Sequence, residues 1–387
     1  MKWINRGHEY DETYKHIENK NKFYLFGAGD YGHHFYEKFN GEIEILGFID
    51  NDEEKQKKGV LDMSVKRLSD IRLKSDEGIV VTMSQIARIN PVEQLNAAGY
   101  KKNEDYFIFE DFISIYFAYK HNKVYFSSIS FLPSTACNLN CKHCLNFNPY
   151  AKKAYVRNWD NIINDVDLFF SCVDHIMIFH VSGGEPMLYA RVADLIEYID
   201  KNYGHKIDVL RTVTNGTVIP NEKILEKLSK CNVEVTVDDY REAVPQYNDN
   251  FDKLIKKLEQ YRIKYYINKV DSWIDLAPER TDYSGCSEEE LMKHRTECNQ
   301  SCQELRDGKI YSCNYAAYAT VAGIAGDEDI EEAYDLRSHS KDKQKELIEF
   351  RLGYTSKGYT NFCKKCRGFT SENSVEIKPA IQCEHSY

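Results

Sequence analysis

Cys137-Asn-Leu-Asn-Cys141-Lys-His-Cys144 is the stretch on which the reading of this chain turns. Three thiols in a CxxxCxxC spacing follow an apolar, strand-like run at 125–132. Thiolates so spaced can converge from one tight loop on a single metal centre. Three ligands, not four, would leave one iron of a [4Fe–4S] cluster open to another molecule. Spacing alone keeps zinc and a plain thiol loop open as alternatives, although zinc ligands usually come as two CxxC-like halves.

Outward from this loop, strand-like runs at 175–181, 209–214, 233–237 and 265–270 alternate with helical patterns such as Leu188, Val192, Leu195, Ile196, Ile199 and Leu254, Ile255, Leu258. Five strands are clear and a sixth is not. Repeated βα units predict a full or partial barrel, with its chemistry at the C-terminal ends of the strands. Polar motifs fall at those ends: Ser182-Gly183-Gly184-Glu185-Pro186, Thr214-Asn215-Gly216 and Thr236-Val237-Asp238-Asp239. Glycines let a backbone approach a ligand, and a carboxylate such as Glu185 accepts hydrogen bonds from an amine. Each motif alone reads as an ordinary turn. Their order is what points to a site.

With those motifs in place, residues 124–275 resemble the radical S-adenosylmethionine (SAM) superfamily, chiefly through CxxxCxxC and Gly-Gly-Glu-Pro. The resemblance implies an α/β fold with a partial (β/α)6 barrel and a [4Fe–4S] cluster on Cys137, Cys141 and Cys144. The open iron would chelate SAM, and one-electron cleavage would give a 5′-deoxyadenosyl radical that takes hydrogen from substrate. By position Gly183, Gly184 and Glu185, with Ser182 beside them, would hold the methionine amine. Asn215 and Asp238 lie where family members contact nucleoside or substrate, and His143 lies beside the adenine. A flavodoxin or ferredoxin would supply the electron.

A second cysteine group comprises Cys298, Cys302, Cys313, Cys363 and Cys366, with Cys383 beyond it. The run 305–310 reads as a hairpin turn that would set Cys302 opposite Cys313. Four thiolates from a hairpin and a CxxC loop suit a structural zinc or a second Fe–S cluster. The spacing Cys298-x9-Gly308-x4-Cys313 with a later CxxC resembles the twitch or SPASM auxiliary-cluster extension of radical SAM enzymes. That resemblance implies one auxiliary [4Fe–4S] cluster. The expected ligands are Cys302, Cys313, Cys363 and Cys366, with Cys298 the substitute.

Ahead of the barrel, Gly27-x-Gly29-x-x-Gly32 follows a strand, and Asp50 ends the next one, as in a dinucleotide-binding fingerprint. The run 47–56 resembles the N-terminal nucleotide-binding domain of sugar acyltransferases of bacterial surface-glycan pathways. The expected organisation is a Rossmann-like domain over 1–120, the barrel over 121–285 and the cysteine-bearing extension over 286–387.

The net charge of −10 over 387 residues lacks the basic footprint of a nucleic-acid or membrane binder. No run approaches the ~20 apolar residues of a spanning helix, and the first twenty residues lack a signal-peptide core. All twelve cysteines lie at or after Cys137. Clustered thiols point to metal chemistry in a reducing cytoplasm.

The expected function is a radical SAM oxidoreductase that dehydrogenates or remodels a small hydroxylated substrate, in particular a nucleotide-linked sugar. Asp238, Asp271 or Asp275 would take up the proton. A peptide-modifying maturase and a non-catalytic metal-stabilised binding protein are the alternatives.

Overall fold

The computed structural model describes residues 1–39, 41–84, 87–298, 302–370, 373 and 377–383. Its contacts divide into two units, residues 5–123 and residues 1–4 with 124–387.

In the smaller unit β1 (Lys22–Phe26), β2 (Glu44–Ile49), β3 (Val65–Lys66), β4 (Glu77–Val81) and β5 (Tyr106–Ile108) form one parallel sheet, ordered β3-β2-β1-β4-β5. Every residue of β4 is buried, as expected of a parallel strand covered on both faces. The strand order reverses between β1 and β4. Just beyond that point the chain turns through Gly27 (φ 116°) into the helix Asp30–Phe39. The helix packs so tightly on the turn that a Cβ at Gly32 would stand 2.1 Å from the Gly27 carbonyl oxygen. Aromatic side chains fill the layer behind it, with Phe35 stacked on Phe39 and both against Phe112.

The larger unit is built on β6 (Tyr125–Phe131), β7 (His175–Val181), β8 (Ile207–Thr214), β9 (Val233–Asp238), β10 (Lys264–Asn268), β11 (Glu304–Arg306), β12 (Lys309–Tyr311) and β13 (Ala333–Asp335). Their order is β10-β9-β8-β7-β6-β11-β12-β13. Strands β6 to β10 are parallel and joined by helices, including Trp159–Cys172, Val192–Tyr203 and Asn248–Gln260. Asn158 starts the first of these by accepting from the backbone N–H groups of Asp160 and Asn161, a side-chain cap for otherwise orphaned donors.

A sixth parallel strand is present, but not after β10. It is β11, which joins β6 at the other side of the five, and β12 and β13 continue the sheet antiparallel. Three residues are too short for a periodicity signal.

Two details differ from the sequence expectation. Leu188 belongs to the 3-10 turn Pro186–Leu188 and is 43% exposed, while Val192, Leu195, Ile196 and Ile199 form the buried helix face. The region after Cys286, where the sequence pattern predicts little regular structure except a helix near 341–351, is also more regular than that. It holds the helices Glu288–Glu297, Asn314–Ala322 and Gln344–Arg351. The first begins at a Ser287–Glu290 capping box, a sequence signal in its own right. The second is rich in buried alanine, so it has no polar face to reveal a period.

The close approach at Gly32 gives a direct test. Gly32→Ala should destabilise the protein by about 2 kcal/mol, as over-packing at a fixed backbone does. Gly29→Ala, whose Cβ meets nothing within 4 Å, should stay close to wild type. Urea unfolding followed by circular dichroism would separate the two.

Candidate functional site

The segment 134–136 leaves β6 and lies directly on the loop after β7. Gly184 N–H donates to the Ser134 carbonyl at 3.0 Å, and Glu185 N–H to the Ala136 carbonyl at 2.7 Å. A Cβ on Gly184 would stand 2.3 Å from the Thr135 oxygen and 2.5 Å from the Ala136 oxygen, and one on Gly183 would stand 2.9 Å from the Ser134 oxygen. The two glycines thus let one loop seat on another, and the space their missing side chains leave is taken by the chain itself. Asn146 Nδ2 adds a 2.6 Å bond to the Gly183 carbonyl.

This seating brings Glu185 beneath the cysteine loop. Its Oε1 accepts from Thr214 Oγ1 at 2.8 Å and Met187 N–H at 3.0 Å, and its Oε2 from Asn215 N–H at 2.8 Å. Burial pushes the carboxyl up to about 7, against the pull of these three donors. Asn215 links the carboxylate to the thiols, because its Nδ2 donates to Cys137 Sγ at 3.8 Å and to Asn138 Oδ1 at 3.2 Å. Its Oδ1 is held by Thr217.

Cys137, Cys141 and Cys144 pack in one pocket with Leu139, Val244, Ala380, Tyr240 and Trp273. Burial pushes the Cys137 and Cys141 thiols up to about 12, with Cys144 adding to both shifts and Cys137 to that of Cys141. N–H groups already face the sulfurs, with Leu139 N–H donating to Cys137 Sγ at 3.4 Å and Gln382 Nε2 to Cys141 Sγ at 3.3 Å. Donors of this kind stabilise thiolate sulfur. Among the described residues no three His, Cys, Asp or Glu side chains close around a single metal ion. A cluster does not require that, since each thiolate binds a different iron. The donor set, its burial and its N–H shell therefore fit a three-thiolate cluster.

The expected acids divide. Asp238, at the end of β9, is half-buried and acts electrostatically on Glu185. It accepts from Asn268 Nδ2 at 2.7 Å and Tyr240 Oη at 2.9 Å, and burial raises its carboxyl above the usual range. Asp275 lies at the cysteine loop, 3.3 Å from His143 Nδ1, and is also tied to Arg280 and the Ala277 N–H. His143 is thereby held by a carboxylate at the edge of the cluster loop. Asp271 is exposed and lines a separate cleft of about 300 Å³ with Asp239, Arg241, Lys269 and Lys378. It is not brought to Glu185. Ser182 Oγ lies 3.1 Å from Ser130 Oγ.

Strand alternation before Ser182 could have revealed His180, which sequence reading passed over. It pairs in register with Ser130 and Arg211. Its buried Nε2 has no hydrogen-bond partner among the described residues, and burial pulls its pKa down to about 4, with help from Arg211.

In the second thiol group Cys298, the expected substitute, stands with three of the other cysteines. Cys298, Cys313, Cys363 and Cys366 interact electrostatically as a set, and the field of Arg295 bears on them. Cys302 acts electrostatically on Tyr315 and Tyr318, and Tyr315 also feels Cys313, Cys298 and Cys366. The hairpin ladder pairs Glu304 to Arg306 with Lys309 to Tyr311, and on the other edge of β11 the Gln303 carbonyl accepts from Ser130 N–H of β6 at 2.9 Å. Cys298 ends the helix Glu288–Glu297 and accepts from Phe369 N–H at 3.2 Å, while His294 and Arg295 of that helix bond the carbonyls of Cys366 and Ser312. Gly308 is held by its N–H, which donates to buried Asp165 at 2.6 Å.

In the smaller unit a cleft of about 530 Å³ opens at the ends of β1, β2 and β4, lined by Gly27, Gly29, Asp50, Lys55, Thr82 and Ser84 among others. Asp50 is already engaged, accepting from Ala28 N–H at 3.0 Å, Asp52 N–H at 3.0 Å and Lys55 Nζ at 2.9 Å. Gly27 and Gly32 are required by the fold, whereas Gly29 faces open space.

Residues 131–274 match the radical SAM superfamily. This part of the chain is a radical SAM domain. The superfamily uses a [4Fe–4S] cluster and SAM. Solved structures similar to the chain include anSMEcpe with bound AdoMet and a Cp18Cys peptide, at 15% identity and TM-score 0.37, covering 65% of this chain and 93% of that one. BtrN in complex with AdoMet and 2-DOIA is similar at 14% identity and TM-score 0.36, over 68% and 98%. SuiB of Streptococcus suis bound to S-adenosylmethionine is similar at 16% identity and TM-score 0.29, over 64% of this chain and 48% of its own length. The chain thus spans about half the length of SuiB, and 42% of another anSMEcpe chain. No curated protein matches the sequence. No helix among the described residues is long and apolar enough to cross a membrane.

The seating of the radical SAM domain's two loops predicts that Gly184→Ala separates them. Iron retained at the CxxxCxxC loop after anaerobic reconstitution should fall severalfold, while the far-ultraviolet spectrum stays unchanged. Full iron in this variant would show that the loops tolerate the Cβ.

Proposed function

We propose that this chain is a radical SAM oxidoreductase acting on a small hydroxylated substrate, in particular a nucleotide-linked sugar, and that it carries an auxiliary [4Fe–4S] cluster. The observation that carries the reading is the placement of Glu185 and Asn215 directly beneath the three-cysteine loop. When bound, the cluster and SAM supply one-electron cleavage of a sulfonium and a hydrogen-abstracting 5′-deoxyadenosyl radical.

The chain's own groups would do the rest. Cys137, Cys141 and Cys144 would hold the cluster, and Glu185 would accept hydrogen bonds from the methionine amine. Asn215 would keep carboxylate and loop in one geometry. Asp238 is suited to accept a hydroxyl proton, because it is half-buried within the electrostatic reach of Glu185 and its carboxyl lies above the usual range. Asp275 is the alternative acceptor, on the cysteine-loop side. Cys298, Cys313, Cys363 and Cys366 would hold the auxiliary cluster, which would accept the remaining electron. A flavodoxin or ferredoxin would serve as reductant.

A Rossmann-like role for the smaller unit is supported by its strand order and by the cleft at the reversal between β1 and β4, where doubly wound sheets bind ligands. Gly29 would admit a pyrophosphate close to the backbone. Lys55 adds a cation, and Asp50, still holding Lys55, would face the ribose.

The test is turnover. Anaerobically reconstituted protein would be incubated with SAM, dithionite and a panel of UDP-, GDP-, CDP- and dTDP-sugars. One sugar is expected to lose two hydrogens in step with 5′-deoxyadenosine release. Coupled release with peptides alone would sink the sugar reading and favour a maturase. Iron analysis should give about eight irons per chain, falling to about four when Cys137, Cys141 and Cys144 are all alanine.

Glu185 makes a pH prediction. Its carboxyl, raised to about 7, takes a proton below that pH and then accepts poorly from an amine. SAM affinity should therefore rise as pH increases from about 6 to about 8. Glu185→Gln should weaken binding about tenfold at pH 8 and flatten the dependence. Calorimetry on the reconstituted protein would read both.

A further inference from the structure

Residues 377–383, far from the cysteine motif in sequence, run across the strand-end loops that surround it. Trp273 N–H donates to the Ile377 carbonyl at 2.7 Å, and Ile377 N–H returns the bond at 3.1 Å. Lys378 pairs with Glu242 in the loop after β9. The segment then meets the cysteine loop edge to edge, with Lys142 N–H donating to the Ile381 carbonyl and Cys383 N–H to the Asn140 carbonyl, both at 2.7 Å. Gln382 stands opposite Cys141 in this pairing. Ala380 is fully buried in the thiol pocket beside Cys141, Leu139 and Val244.

The side chain of Gln382 is oriented by its partners. Asn140 N–H donates to Oε1 at 2.7 Å, and only the amide oxygen can accept there. Nε2 therefore faces the other way, donating to Cys141 Sγ at 3.3 Å and to the Ala380 carbonyl at 2.7 Å. One side chain, 241 residues from Cys141, thus fixes the loop backbone and supplies an N–H to a ligand sulfur.

We infer that Gln382 is a positioning residue of the CxxxCxxC cluster site, holding the loop for its cluster and favouring the cluster's reduced state through an N–H···S bond to Cys141. The inference rests on the reading that Cys137, Cys141 and Cys144 hold a [4Fe–4S] cluster. Reduction adds negative charge that spreads onto the ligand sulfurs, so a donor to sulfur stabilises the reduced form more than the oxidised one and raises the potential. Removing the donor lowers it.

The test uses the full chain, reconstituted anaerobically, with Gln382→Glu and Gln382→Met. Glutamate keeps the acceptor for Asn140 N–H but cannot donate to sulfur when ionised, and methionine removes both bonds. The readout is a redox titration followed by electron paramagnetic resonance, tracking the reduced-cluster signal that changes on adding SAM. In Gln382→Glu the iron content should stay at wild type, while the ratio of reduced to oxidised cluster at a fixed potential falls about tenfold. For one electron that is a shift of about 59 mV to lower potential. Gln382→Met should show the same shift and should also lose iron faster to a chelator.

An unmoved potential in Gln382→Glu at full iron would overturn the donor role. Loss of all iron in both variants would overturn it too, leaving a purely structural residue. A wild type with no SAM-responsive signal would instead overturn the three-cysteine cluster itself, and this inference with it.

Discussion

Everything at the centre of the larger unit depends on one backbone contact, the seating of residues 134–136 on Gly183 and Gly184. Two interloop hydrogen bonds hold it, and a Cβ at Gly184 would drive into two carbonyl oxygens. Because the contact is backbone on backbone, no side-chain rearrangement can make room for an added Cβ. Through it the cysteine loop after β6 and the carboxylate after β7 keep a set distance, and Asn215 after β8 spans the gap from Glu185 to Cys137.

The parallel sheet explains why these pieces can meet at all. In parallel strands all C-terminal ends open on one side, so loops far apart in sequence gather there. Burial on that side has an electrostatic consequence. Glu185, Asp238 and the thiols are all pushed towards their neutral forms, and His180 is pushed away from its charged form. The carboxyls and thiols are thereby poised for a cationic or metal partner, which would reverse their shift. The smaller unit uses related geometry, with Gly27 and Gly32 locked by close packing around a turn and a cleft left open at Gly29.

The region beyond Cys286 shows how edge pairing gathers distant segments. Strand β11 pairs with β6 on one edge and with β12 on the other, and Cys298, delivered by a capped helix, joins Cys313, Cys363 and Cys366. The same principle brings residues 377–383 to the cysteine loop, where Gln382 faces Cys141.

The local chemistry of the chain could be read from the sequence by itself. The CxxxCxxC loop, the Gly-Gly-Glu-Pro turn, the alternation of five strands with helices and the glycine turn at Gly27 each follow from neighbours a few residues apart, where spacing and periodicity carry the information. Tertiary structure alone decided what depends on partners hundreds of residues away. It placed the sixth parallel strand at β6, brought Cys298 to Cys313, Cys363 and Cys366, moved Asp271 into a cleft of its own and put the Gln382 amide on the Cys141 sulfur. A short strand, a hairpin's length and a single hydrogen bond to sulfur leave no periodic trace. They are settled by which backbone edge each segment finds to pair with.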